Sequence, residues 1–294
     1  MASLTDIEGF SVGVWTDEAA ATGVTVIRCP EEGCLASASF LGAAPGTREA
    51  ALLAPEKPVA RLNALVFTGG SALGLASASG VAERLAEEGI GHLTPARPIP
   101  IVAAAVIYDL LLGRPDWPGA EAGYRAAASA SAEHVPEGRV GAGAGASAGK
   151  YLTPVPTGQG SALAEAGNIR VGALAVVNPV GDVYTPEGKC IAGHDDREAL
   201  LRFLSGRSRP IEHTTLVAVG LEAPISKAEA KMLADAAQAA IGRVIRPSHT
   251  PWDGDATFVL STLKGPPAPI GLLSVLVQEA TVKAILRAAS PGPL

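Results

Sequence analysis

A chain of 294 residues that is 48% hydrophobic and only 18% charged can bury a large core, and it is not a disordered chain. Its net charge of −6 and pI near 5.4 give no basic footprint for a phosphate backbone, so nucleic-acid binding is not expected and small soluble substrates fit better.

The first six residues, Met1 to Asp6, have neither a basic n-region nor an apolar h-region. No secretory leader is expected, and the cytoplasm is the expected address. Strands are predicted at residues 23–28 and 37–40, separated by the turn-rich Pro30-Glu31-Glu32-Gly33. Cys29, Cys34 and Cys190 cannot all pair with one another and lack a repeated Cys-x-x-Cys spacing, so they are read as reduced, structural thiols. Residues 62–67 read as a buried strand running into the glycine turn Thr68-Gly69-Gly70-Ser71-Ala72-Leu73-Gly74. A helix through Val81, Leu85 and Ala86 follows, with Glu83, Arg84, Glu87 and Glu88 outward and Gly89 as its stop.

Residues 99–113 are the most apolar stretch, but Tyr108 and Asp109 interrupt it and it falls short of the roughly 20 residues a membrane helix needs. It is read as buried, as either strand or helix, because short apolar runs do not separate the two. Residues 124–133 are alanine-rich and predicted helical. Residues 171–177 form a near-continuous apolar strand, which implies burial on both faces, with Asn178 at its end.

Ser226-Lys227-Ala228-Glu229 is a capping box. The helix it opens is expected to turn Met232, Leu233, Ala236, Ala237, Ala240 and Ile241 to a sheet and Lys227, Lys231, Asp235 and Gln238 away from it. Residues 256–261 are predicted as the next strand and 270–289 as a last helix. This alternation, with no internal repeat, indicates a layered α/β protein of one domain, residues 1–294.

Four segments carry candidate chemistry. His213-Thr214-Thr215 opens the apolar run Leu216-Val217-Ala218-Val219, and Asp253-Gly254-Asp255 follows a helix later. Gly149-Lys150 ends the small-residue tract 141–148, and Asn178 lies in Val176-Val177-Asn178-Pro179-Val180-Gly181-Asp182. Taken singly, each has an ordinary structural reading: a β-former, a turn, a solvated lysine, a strand end. In this order and spacing they resemble the L-aminopeptidase/D-esterase family of N-terminal nucleophile hydrolases, which includes β-aminopeptidases and 6-aminohexanoate (nylon) oligomer hydrolases. The resemblance runs from about Val12 to about Thr262.

The resemblance implies a layered α-β-β-α sandwich and self-cleavage between His213 and Thr214, giving a large chain 1–213 and a small chain 214–294. It puts the nucleophile on Thr214 and the supporting groups on Lys150, Asn178, Asp253 and Asp255, with Tyr108 lining the pocket. A threonine freed at a terminus carries its own base, an α-amine that titrates near pH 8. Lys150 is expected to hold a positive charge beside that amine, Asp255 or Asp253 to orient it, and Asn178 to donate to the oxyanion. No metal or organic cofactor is required. The implied partners are a small peptide, aminoacyl amide or ω-amino acid oligomer as substrate and, by resemblance, further copies of the chain in a homo-oligomer, a tetramer; no membrane or nucleic acid is expected.

Where members usually carry asparagine before the nucleophile, this chain has His213. That keeps a second reading open, an uncleaved and catalytically silent relative that binds a small amino compound or serves as an assembly subunit. Two other readings are weaker. Residues 143–150 suggest a phosphate-binding loop, but Tyr151 follows Lys150 where a hydroxyl ligand of magnesium belongs. Gly69-Gly70-Ser71-Ala72-Leu73 lacks the closing glycine of a nucleophile elbow.

Overall fold

The computed structural model describes residues 2–206 and 213–290. Its strands, in chain order, are β1 (Ser11–Asp17), β2 (Thr22–Arg28), β3 (Cys34–Phe40), β4 (Thr47–Arg48), β5 (Arg61–Leu62), β6 (Ala64–Thr68), β7 (Val102–Val106), β8 (Gln159–Ala166), β9 (Ile169–Asn178), β10 (Thr214–Leu221) and β11 (Ala256–Ser261), with minor two- and three-stranded sheets beside them. One sheet has the order β1-β2-β6-β7-β4 and the other β8-β9-β10-β11-β3-β5. Both are mixed: β6 and β7 run parallel, as do β10 and β11, and their neighbours are antiparallel. The principal helices are α1 (Ser77–Glu87), α2 (Ala120–Ala128), α3 (Lys227–Val244) and α4 (Ile270–Ala289).

Strand periodicity sorts the core into three layers. Leu216 and Ala218 of β10 point with Leu174 and Val176 of β9 into the space between the sheets, where Phe67 and Phe258 meet at 5.9 Å. Val217 and Val219 point the other way, with Val171, Ala173, Ala175 and Val177, onto Leu233, Ala237 and Ile241 of α3 and Val277, Ala284 and Ile285 of α4. On the far side, Val24, Val26 and Val66 pack on Val81 and Leu85 of α1 and Ala126 of α2. The result is the α-β-β-α sandwich, and β9 is buried on both faces as its composition implied.

The parts of the prediction that differ have local causes. Asn63 separates β5 from β6, because its side chain accepts from Ile101 N–H at 2.9 Å instead of continuing one strand. The 99–113 run resolves into strand β7 and a loop; only its centre is buried, and Ile99 and Leu111 are exposed. Helix α2 starts before Tyr124, at Ala120, and ends at Ala128. On α3, Met232 is exposed, whereas Gln238 and Lys227 are buried. The Gln238 amide donates to the Ser39 carbonyl at 2.8 Å and the Asp255 carbonyl at 3.1 Å, and Lys227 Nζ donates to the carbonyls of Leu52, Lys57 and Val59. Gln238→Leu is expected to lower unfolding free energy by about 1–3 kcal/mol, read by urea denaturation, because it strips donors from buried carbonyls. Cys29 and Cys34 lie in the core between the sheets. Among the described residues no helix is long and apolar enough to cross a membrane.

Candidate active site

The candidate residues converge at one end of the sandwich. Thr214 is the first residue of β10 and Asn178 the last of β9, and the antiparallel register sets them opposite each other. Because β10 runs parallel to β11, the segment that enters β11 also reaches this end, and His213 bridges Asp253 there. The loop after β7 brings Tyr108, and the tract before β8 brings Lys150.

Asn178 is fully buried and fixes three segments at once. Its side-chain oxygen accepts from Lys150 Nζ at 2.6 Å and from Ser147 N–H at 3.2 Å, while its amide donates to the Tyr108 carbonyl at 3.1 Å. Lys150 Nζ also reaches the Asn178 carbonyl at 3.0 Å, and the Lys150 main chain is pinned by its N–H on Val180 O at 3.0 Å. Lys150 is thereby tied to the residue that faces Thr214 across the β9–β10 pairing.

The acidic pair is clamped by His249 and Thr250. Asp255 accepts from Thr215 N–H at 2.7 Å through one oxygen; the other lies 2.9 Å from both the His249 N–H and its ring Nδ1. Asp253 accepts from Thr250 N–H at 2.6 Å. His249 and Thr250 therefore act as clamps, and nothing in the Pro-Ser-His-Thr segment signalled this before the fold closed it over Asp253 and Asp255. Burial works against a charge on His249, but Asp255 outweighs it and raises the imidazole above its usual range.

Thr214 Oγ1 donates to the carbonyl of His213, the group immediately before it, and Gly254 N–H donates to that same carbonyl at 2.7 Å. Gly254 has no room for a side chain: a Cβ there would stand 2.7 Å from Thr214 Oγ1 and 2.9 Å from the Ala44 carbonyl. A cavity of about 150 Å³ opens on Thr214, with Tyr108, Ser71, Pro45 and Gly46 in its wall. A second, of about 60 Å³ and mostly apolar, adjoins Tyr108 and includes Lys150, Asp109, Leu111 and Leu112. Tyr108 is common to both, and Ser71 holds a left-handed backbone, φ +53°.

The electrostatics differ from expectation at Lys150. Burial of its ammonium pushes its pKa down to about 7, against the pull of Asp253 and then Asp109. It is as much a base as a cation near neutrality. Asp253, not Asp255, supplies the carboxylate that acts on Lys150, and burial together with the Asp255 charge raises Asp253 to about 6. Burial, and secondarily Lys150, holds His213 far below the usual histidine range, so it is neutral. Among the described residues no cluster of three or more His, Cys, Asp or Glu is arranged to hold a metal ion.

A profile of peptidase family S58 matches residues 2–291. An uncharacterised aminopeptidase of Mycobacterium tuberculosis is 38% identical over 89% of this chain and 82% of its own. The 6-aminohexanoate-oligomer endohydrolase of Paenarthrobacter ureafaciens is 30% identical over 87% of this chain and 74% of its own. Among solved structures, a Burkholderia sp. beta-aminopeptidase superposes with TM-score 0.74 at 21% identity, covering 97% of this chain and 85% of that one. The L-aminopeptidase D-Ala-esterase/amidase of Ochrobactrum anthropi, a variant of the Ntn-hydrolase fold, does so with TM-score 0.71 at 15% identity and the same coverage.

Proposed function

Since the chain belongs to peptidase family S58 and is a hydrolase of amide or peptide bonds, we propose that Thr214 is its nucleophile and that it is first used on the chain itself. The observation that carries this reading is the shared carbonyl: the Thr214 hydroxyl and the Gly254 N–H both point at His213 O, the oxygen that would become an oxyanion. Thr214 Oγ adds to the His213 carbonyl carbon and its proton passes to neutral Lys150. Gly254 N–H stabilises the oxyanion, an interaction worth about 3 kcal/mol in comparable sites. The C–N bond then breaks with a proton delivered to the departing nitrogen, leaving an ester that water opens. The products are a carboxylate at His213 and a free amine on Thr214.

The mature residue then holds hydroxyl and base together. Its amine takes the hydroxyl proton as Oγ attacks a substrate amide, the released amine leaves with that proton, and water hydrolyses the acyl ester. Asn178, the register partner of Thr214, gives one amide hydrogen to the Tyr108 carbonyl and has a second that suits the substrate oxyanion, and Asp253 suits the new ammonium. Relatives named as aminopeptidases and as 6-aminohexanoate-oligomer hydrolases support small peptides, aminoacyl amides or ω-amino acid oligomers as substrates.

Intact mass tests the reading: two fragments, the smaller beginning Thr-Thr-Leu-Val, are expected in active material. A single 29.6 kDa chain after long incubation, with no turnover of aminoacyl p-nitroanilides or 6-aminohexanoate oligomers, would favour the silent relative. Gly254→Ala gives a finer test. Its Cβ displaces the hydroxyl, because the backbone of Ala44 blocks the other side, so the intact chain is expected to disappear about a hundredfold more slowly.

A further inference from the structure

Asp109 is a buried carboxylate that the chemistry above leaves unused. Its Oδ1 accepts from Gly70 N–H at 2.7 Å and its Oδ2 from the Thr22 hydroxyl at 2.7 Å. Two glycines are cleared for it: a Cβ on Gly69 would fall 2.0 Å from Asp109 Oδ2, and one on Gly145 2.8 Å from its Cβ. It follows Tyr108, whose carbonyl holds Asn178, and it shares the wall of the smaller cavity with Lys150. The Gly70 turn it fastens carries Ser71 and Ala72 into the wall of the Thr214 cavity.

We infer that Asp109 is a positioning residue of this site: it ties the Gly69–Ser71 turn to the Tyr108 loop and, as a second anion on the cavity wall it shares with Lys150, favours the ammonium form of that lysine. A neutral asparagine would serve the two hydrogen bonds nearly as well, since Thr22 Oγ1 can also accept. Only the charge needs a further reason, because burying a carboxylate is costly without a partner. Lys150, on the wall of the same cavity, is the cation whose charge acts on it. The charged or titratable groups acting on Lys150 are then Asp253 from the loop before β11, Asp109 from the loop after β7, and neutral His213 before β10. Burial raises the Asp109 carboxyl, opposed first by the Gly70 N–H and the Thr22 hydroxyl and least by the Lys150 charge.

The inference rests on the role given to Lys150 above, but it can be tested without cleavage. In a Thr214→Ala background the chain stays whole, and side-chain ¹³C-lysine NMR follows the Lys150 resonance, identified by its loss in Lys150→Met. Asp109→Asn is expected to lower the Lys150 titration midpoint by about one pH unit. Thr22→Val, which keeps the carboxylate but removes its hydroxyl donor, is expected to move it the same way by less. Thermal unfolding reports whether each variant is folded; if Asp109→Asn is not, Thr22→Val alone decides. An unmoved Lys150 midpoint overturns the inference. A moved midpoint in a protein whose wild-type chain never cleaves or hydrolyses leaves Asp109 in place and sinks the reading of Thr214.

Discussion

Thr214→Ala is expected to leave one uncut chain of 29.6 kDa and to abolish amide hydrolysis, a loss of about a million-fold if the hydroxyl belongs to a single catalytic unit. The substitution removes only Oγ1 and one methyl. The His213 carbonyl keeps its Gly254 N–H, so no buried acceptor is orphaned and the fold should survive with a cost of about 1 kcal/mol. Thr214→Ser retains the hydroxyl and should still cleave. Thr250→Val provides the contrast, since Thr250 holds Asp253 through its backbone N–H, which valine keeps. Cleavage should proceed there and still expose Thr214. Residual hydrolysis of aminoacyl anilides by purified Thr214→Ala at wild-type rate would place the nucleophile elsewhere.

The layers of the fold were readable because each depends on a short-range signal. The near-continuous apolar run of β9 predicts burial on both faces, and the capping box at Ser226 opens α3 where Ser226 accepts from Glu229 N–H at 3.2 Å. What was not readable depends on where strand ends fall. A helical wheel turns Gln238 outward by polarity, yet Gln238 stands over the Ser39 and Asp255 carbonyls at the active-site end of the sheet and is buried there. Met232, apolar on the same wheel, stays exposed.

The site divides along the same line. Thr214, Lys150, Asn178, Asp253 and Asp255 are found together, with Tyr108 beside them, because family spacing encodes their convergence. The residues that hold them were not found. His249, Thr250, Gly254 and Asp109 act largely through backbone donors or buried oxygens, and such roles exist only once long-range contacts form. Lys150 was expected as a cation for the same reason: its sequence neighbours say nothing of how deeply its Nζ is enclosed.

That enclosure sets the pH dependence of self-cleavage. In the uncut chain the nitrogen of Thr214 is an amide, so it cannot accept the hydroxyl proton, and the base must be another group. Lys150 is the candidate whose pKa, about 7, lies where a general base works best. The sign follows from its lowered value: the neutral, accepting form dominates above about 7 and is lost as pH falls through it. Cleavage of freshly refolded chain, followed by intact mass, should level off above about pH 7 and slow about tenfold for each unit below it. Asp253, raised to about 6, loses its charge lower in the same range, so Asp253→Asn should alter the steepness of the acid limb. His213 is neutral throughout, and His213→Gln should leave the midpoint where it is. Lys150→Met removes the base itself, and a fall of about two to four orders of magnitude is expected at pH 8. A wild-type profile flat from pH 5 to 8, or a Lys150→Met chain that cleaves normally, would take the proton-accepting role away from Lys150.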